Sequence, residues 1–346
     1  MAEALSVGET AGTGRGRLLL WGAARDEQPA RGLGRVVMDF TGLMSRFPND
    51  RPLSEFDREH RLLQKKRLDV PLLAQLCVVK MNSNSLLSVD RWYGWRGFIA
   101  LIGAIGIAFG VGGILMLAWI LVAGDLPNEN GLWEAIFIGM AMFAMLGLAG
   151  VWIACKEMFR WTYYPIALDR KRRLVHVFRL NGTVLTAPWD KIYFTLGRGK
   201  GTFGWLNWDI RGLILAEDGA TVQDTFAFCI ATSRVENAYS HWEFLRRYME
   251  EGPQAVLDAV LYCMPVDGKR ESFAFSKERI FANDAQSPGL MYLVMVPFNY
   301  LHAIMRWAVM QTSKIPAFPP EIEATLQPEP GDKYVRDASM NPEDLR

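Results

Sequence analysis

The chain has 346 residues, 38 Lys and Arg against 37 Asp and Glu, a formal net charge of +1, and hydrophobic residues at half of its positions. That near-neutral balance excludes the global basic field of a nucleic-acid-binding chain. The four cysteines, Cys77, Cys155, Cys229 and Cys263, are far apart in sequence and form no CxxC, which excludes the strong zinc and thioredoxin signatures and makes reduced, buried thiols the expectation.

Residues 1–37 are rich in Gly, Ala and Arg without periodicity and are expected to be disordered. A new composition opens at Met38, MDFTGLMSRFPNDRPLSEF, so Met38 competes with Met1 as the start of translation. The early apolar patch LLLWGAA is too short for a signal peptide, and Glu3 and Glu9 spoil a basic leader, so the first membrane span is expected to act as the insertion signal. Residues 38–96 read as an N-terminal cytoplasmic segment with a polar surface helix over Ser54–Leu68 and a strand near Leu76–Met81.

The stretch from Gly97 to Cys155 predicts a helical membrane hairpin. Phe98–Ala123 and Leu132–Ala154 each exceed the roughly 20 apolar residues that a bilayer core requires, and only Glu134 brings a charge into them. Basic residues crowd both flanks (Lys65, Lys66, Arg67, Lys80, Arg91 and Arg96 before, Lys156, Arg160 and Arg170 to Arg173 after), whereas the loop carries only Asp125 and Glu129. By the positive-inside rule both termini are cytoplasmic and the loop faces outward, the arrangement of a multi-pass bacterial inner-membrane protein. Trp92, Tyr93, Trp95, Trp119, Trp133, Trp152 and Trp161 fall near the span ends, as in an interfacial aromatic belt. The spans hold almost no ionisable group, which argues against a transport pathway. Gly106 with Gly110 and Gly150 with Ala154 form small-xxx-small pairs for packing within the hairpin or between copies in a homo-oligomer.

Beyond Cys155 the period changes to short alternating segments. TYYPIALD, LVHVFRL and TVLTAPWDKIYFTLG read as antiparallel strands, with a hairpin turn at Asn181–Gly182. Asp209–Ala216 and Thr221–Phe228 are further strand candidates. A helix with one apolar face follows over Ser233–Glu251, capped by Ser233 and Glu236 and stopped at Gly252–Pro253. The order predicts a small antiparallel barrel or sandwich over residues 156–265, plugged by its C-terminal helix. A short helix is expected over Ala255–Cys263. Residues 266–314 form an amphipathic or interfacial helical segment, in which Pro297, Asn299, His302 and Arg306 weigh against a third span over Pro288–Met310. Residues 315–346 are expected to be an extended, flexible tail.

No catalytic, cofactor or metal constellation is legible. The GxGxxG at Gly199, Gly201 and Gly204 lacks the strand-then-helix setting of a nucleotide loop, Lys200 is not followed by Ser or Thr, and no GxSxG occurs. His60, His176, His241 and His302 show no ligand spacing. The expectation is a non-enzymatic protein without cofactor or nucleic-acid partner. Two binding features remain: the basic turn Arg170, Lys171, Arg172 and Arg173, suited to anionic lipid or to setting topology, and the aromatics Phe203, Trp205 and Trp208, suited to anchoring a protein partner or to the domain core.

The basic hairpin Arg170–Arg173, PWDKIYF (Pro188 to Phe194) and the Ser233–Glu251 helix resemble bacterial pleckstrin-homology-type domains. That resemblance implies an α+β membrane protein: a two-helix transmembrane hairpin carrying a cytoplasmic pleckstrin-homology-like β domain closed by a C-terminal helix, its first hairpin able to hold anionic headgroups. LCVVKMNSNSLLSVDRWYGWRG (Leu76 to Gly97), RKRRLVHVFRLNGTVLTAPWDKIYF and HWEFLRRYMEEGP resemble a family of bacterial inner-membrane proteins associated with type VI secretion loci. This resemblance implies an accessory or immunity protein that binds a cognate secreted effector. A membrane scaffold or sensor docked on anionic lipid is the alternative.

Overall fold

A computed structural model describes residues 47–74, 76–123, 131–200, 206–283 and 289–346. The expected disorder of residues 1–37, the start at Met38, and the loop acids Asp125 and Glu129 lie outside these residues.

The described residues open with β1 (Arg51–Pro52), helix α1 (Glu55–Glu59) and β2 (Arg61–Leu62). A capping box starts α1: Asp57 N donates to Ser54 Oγ at 3.1 Å, and Ser54 N donates to the Asp57 carboxylate at 3.0 Å. That single helix is all that forms of the one expected over Ser54–Leu68. Leu62 is drawn into the core, and its backbone pairs opposite Phe194. β3 (Val78–Met81) and β4 (Ser85–Ser88) follow, their turn set by Asn82, whose Oδ1 accepts from Asn84 N and Ser85 N at 2.8 Å.

A 3-10 turn, Tyr93–Trp95, leads into α2 (Phe98–Ala123), which packs against α3 (Leu132–Ala154). Then come β5 (Ile166–Asp169), β6 (Leu174–Phe178), β7 (Val184–Pro188), β8 (Tyr193–Lys200), β9 (Leu206–Leu215) and β10 (Thr221–Ala227). Gly182, at φ 83°, supplies the left-handed residue of the β6–β7 turn. The helices α4 (Val235–Glu251), α5 (Phe273–Phe281), α6 (Gly289–Thr312) and α7 (Pro320–Leu326) complete the order.

The strands form two antiparallel five-stranded sheets, β1-β10-β9-β8-β2 and β3-β4-β5-β6-β7. Each sheet mixes strands from both sides of the α2–α3 hairpin. β4 lies directly beside β5, with Ser88 opposite Ile166 and Ser85 opposite Asp169. The sequence boundaries at residues 96 and 156 therefore separate strands that pair with one another, and the hairpin is an insertion between two neighbouring strands.

One buried apolar cluster joins both sheets to α4. At its centre the Trp189 ring lies 4.7 Å from Phe194 and 5.7 Å from Trp242. Burying each side chain of this size contributes on the order of 1.5–3 kcal/mol. α4 was expected to bury one face but buries both, because residues 68–74 cross its outer side. Leu73 N donates to Ser240 O at 3.3 Å and Leu68 N to the Glu243 carboxylate at 3.1 Å. Burial opposes ionisation of Glu243, yet Arg246 and Arg247 hold it below the usual carboxylate range. The helix starts later than the expected Ser233–Glu236 box: Thr232 is still held in a reciprocal backbone bridge with Trp208, and the N-cap residue is Arg234.

Two further expectations are corrected. Ala255–Cys263 forms no α-helix, only the 3-10 turns Pro253–Ala255 and Leu257–Ala259. The tail beyond residue 315 is docked, not free. Leu326 O accepts from Asn82 Nδ2 and Ser85 Oγ, Asp332 accepts from Ser83 N and Oγ, and Arg336 bridges Met81 through both backbone groups. The Asn341 side chain binds both backbone groups of Cys263.

Where two helices of membrane length were expected, three among the described residues are long and apolar enough to cross a bilayer: Tyr93–Ala123, Leu132–Ala154 and Gly289–Thr312. The third, α6, is two-faced. Asn299, His302, Ala303, Arg306, Val309 and Met310 are buried, while Leu290, Leu293, Val294, Leu301, Ile304 and Trp307 are exposed.

Candidate functional site

The base of the hairpin is a dense polar junction. Gly97, at φ 91°, abuts the Arg306 backbone so closely that an added Cβ would collide with it. Glu157, just past α3, accepts from Gly97 N at 2.8 Å, Ala100 N at 3.0 Å and Trp92 Nε1 at 3.1 Å. Its carboxylate therefore satisfies the unpaired amides that open α2, where the helix dipole favours negative charge. Asp90 accepts from Trp92 N and Tyr164 N, tying the strand before the hairpin to the chain after it. Burial raises the Asp90 pKa against the opposing charge of Arg96.

From α6, Arg306 reaches the same junction. Its Nε and Nη2 donate to Glu271 at 2.8 and 2.6 Å, and Nη1 donates to Tyr93 O at 2.5 Å. Both ion-pair partners are wholly buried, and the Tyr93 hydroxyl also donates to Glu271. His302 Nε2 lies 3.1 Å from Arg96 O, which can only accept, so that nitrogen carries the proton.

Beside this junction the fold assembles a thiol–imidazole cluster that sequence spacing conceals. Cys77 stands just before β3, Cys229 just after β10 and His241 on α4; their ligand atoms all lie within 4.8 Å of one another. His241 Nδ1 is 2.9 Å from Leu73 O and therefore donates to it. In the neutral imidazole this leaves the Nε2 lone pair facing Cys229 Sγ, 3.4 Å away. Cys77 Sγ donates to Ala74 O at 2.8 Å. Burial disfavours either thiolate. Cys77 is nevertheless held below the ordinary thiol range by Cys229, His241 and Arg279, whereas burial and the proximity of Cys77 push Cys229 up.

A cavity of about 50 Å³ adjoins the two sulfurs, lined among others by Arg91, Tyr93, Asn283 and Arg279. That is room for a water or a small anion. Arg279 Nη1 donates to Asn283 at 2.7 Å, but its buried Nε has no hydrogen-bond partner among the described residues. Burial lowers the Arg279 pKa, and the charge of Arg306 lowers it further. Two cysteine sulfurs, a neutral imidazole nitrogen and a nearby orphaned cationic donor are the components of a soft metal site with an anionic fourth position. The one-dimensional signal was weak because Cys77, Cys229 and His241 come from three elements, and only the fold brings them together.

The features singled out from sequence occupy several places. Arg170 to Arg173 form the β5–β6 turn, at the strand end remote from α3. Arg173 pairs with Asp190 and Glu250 at 2.6 Å, Lys171 with Glu329 at 2.6 Å, Arg172 lies 4.0 Å from Asp169, and Arg170 donates to Ser83 O. Phe203 and Trp205, with Gly201 and Gly204, lie outside the described residues. Trp208 is half-buried, its ring 6.3 Å from Phe56 and 5.8 Å from His60. Gly106, Gly110, Gly150 and Ala154 all lie in the α2–α3 contact, joined by Gly103 and Gly147. A Cβ on Gly110 would sit 2.6 Å from Gly147 N, and one on Gly150 2.6 Å from Gly103 O.

No curated protein and no solved structure matches the chain. Residues 140–330, from within α3 to just beyond α7 and more than half of the chain, match DUF6708, described as a family of unknown function, and the protein belongs to that family.

Proposed function

We propose that the protein is a non-enzymatic interaction protein anchored in a bacterial inner membrane by α2 and α3, with both termini and both sheets on the cytoplasmic side. The observation that carries this reading is the pairing of β4 with β5 across the hairpin. Strands that pair directly keep both ends of the hairpin on one side of any bilayer that it crosses. The outward faces of α2 and α3 support the same reading: Phe109, Trp119, Leu148 and Trp152 are exposed, an apolar surface suited to lipid rather than water. The flanking basic residues supply the orientation.

α6 is read as an interfacial helix. α5 and α6 pack as an antiparallel pair, joined by Glu271–Arg306 at one end and by Phe281 with Tyr292 and Tyr300 at the other. This pairing supports keeping the whole of α6 beside the soluble elements, with its exposed apolar stripe turned to the membrane surface. The order β5–β7, β8–β10, α4 supports a pleckstrin-homology-type domain, enlarged by β1–β4 at the sheet edges and beside β5.

For the partner, the resemblance to proteins of type VI secretion loci supports a cognate secreted effector, bound by the cytoplasmic domain in an accessory or immunity role. A lipid-docking role for Arg170–Arg173 has less support, since acidic neighbours and backbone carbonyls already engage those cations. Co-expression of each neighbouring effector with and without this protein tests the assignment. Protection from one effector, together with its co-purification, is the expected result; no protection from any of them overturns it. Labelling of single cysteines by a membrane-impermeant thiol reagent tests topology separately. A cysteine in the 124–130 loop should react in intact cells stripped of outer membrane, and one at Gly219 only after lysis.

A further inference from the structure

We infer that Cys77, Cys229 and His241 form a binding site for one zinc-like divalent cation at the seam between the two sheets, with its fourth position open to the cavity beside Arg279. All three ligand atoms lie within 4.8 Å of one another, and one separation is that of a bound site. A tetrahedral zinc with bonds of ~2.3 Å to sulfur and ~2.0 Å to nitrogen separates those atoms by about 3.5 Å, and Cys229 Sγ lies 3.4 Å from His241 Nε2.

The surroundings fix the ligands. His241 is oriented by its Nδ1–H bond to Leu73 O, the outer contact that selects the tautomer with a metal-binding Nε2. Its helix is clamped over its outer side by residues 68–74, and the Phe244 ring stacks against the imidazole at 6.0 Å. Cys77 and Cys229 both line the cavity. Two thiolates neutralise a dication, so Arg279 makes an anionic fourth ligand, hydroxide or chloride, favourable at the open position. Binding replaces two S–H bonds by two S–metal bonds and releases their protons, up to two per ion with chloride at the open position; hydroxide there comes from water and releases a third. The proton bound by Ala74 O in the free thiol of Cys77 is one of them.

This site stands apart from effector binding and does not depend on it. The test uses the full chain in detergent, reduced and stripped with a chelator, and titrated with Co2+ and then Zn2+. The expected result is one Co2+ per chain, with thiolate-to-cobalt charge-transfer bands and the intense d–d absorption of a four-coordinate site. Stoichiometric Zn2+ should remove these bands. Cys77→Ser, Cys229→Ser and His241→Asn should each weaken Zn2+ binding 100-fold or more, while Cys155→Ser, at an exposed thiol, leaves it unchanged.

Arg279→Gln covers the case in which a ligand variant misfolds. It keeps all three ligands and the single bound ion, but weakens chloride binding to the cobalt form several-fold. Absence of the bands in reduced protein, their persistence in both cysteine variants, or recovery of a Cys77–Cys229 disulfide in place of bound metal from reducing preparations overturns the proposal.

Discussion

The α2–α3 hairpin and α6 pass the same threshold of length and apolarity, yet they are built on opposite plans. In the hairpin the inner surface is a seam of glycines, Gly103, Gly106 and Gly110 against Gly147 and Gly150, and the outward surface is apolar apart from Glu134 in the first turn of α3. Its helices gain close backbone approach and dispersion contact, and no side-chain hydrogen bond is needed between them. In α6 the inner surface mixes Ala303, Val309 and Met310 with polar side chains that are engaged: Arg306 with Glu271 and Tyr93, and His302 with Arg96 O. Apolar length alone does not separate an anchor from a docked amphipathic helix; the chemistry of the buried face does.

That contrast can be broken experimentally, and the largest expected effect is at the α6 junction. Glu271→Ala leaves the Arg306 guanidinium buried without its counter-charge and should destabilise the protein by about 3–5 kcal/mol. Thermal unfolding followed by tryptophan fluorescence measures this, and adding Arg306→Met should restore most of the loss. If Glu271→Ala shifts the transition only slightly, α6 is not pinned through this pair.

Next in size is a charge on each outward face. Phe109→Arg in α2 should cost about 2.5–3.5 kcal/mol on insertion scales and deplete the carbonate-resistant membrane fraction. Leu293→Arg on the exposed face of α6 should leave that fraction near wild type, because an interfacial arginine reaches water. Equal losses from the two variants would make α6 a third span. The smallest effect is in the seam: Gly150→Val places side-chain atoms against Gly103 O and should cost about 1–3 kcal/mol by overpacking. Cross-linking yield between single cysteines on α2 and α3 reads it, and an unchanged yield would mean that the seam is not close-packed.

Much of the two-sheet fold was legible because its strands alternate and its turns carry their own chemistry. Asn181–Gly182 and the segments around β5 to β10 illustrate this. The helix over Ser54–Leu68 was not, because a polar stretch with Leu62 at one buried position reads alike as a surface helix or an edge strand until its partner at Phe194 is known. The docked tail was hidden for a related reason: Leu326, Asp332, Arg336 and Asn341 are held mostly through backbone and single polar contacts, which leave no periodic trace. At the candidate site, residue types were visible but their meeting was not. Cys77 and Cys229 are brought together by strand ends in different sheets, and His241 is turned toward them by a carbonyl from a crossing segment.

Placing the hairpin between β4 and β5 also makes the order of synthesis matter. When β4 leaves the ribosome its neighbour does not yet exist, and the intervening residues 89–165 take about 4–15 s to make at roughly 5–20 residues per second. Throughout that interval β1 to β4 wait without their later partners, and the second sheet closes only once the two apolar helices between β4 and β5 have been made. Until β5 is made, β4 holds an unpaired strand edge open to other chains. Completion of the sheet thus waits on synthesis of the hairpin, and joining Ser88 to Ile166 through a tight turn would remove that wait.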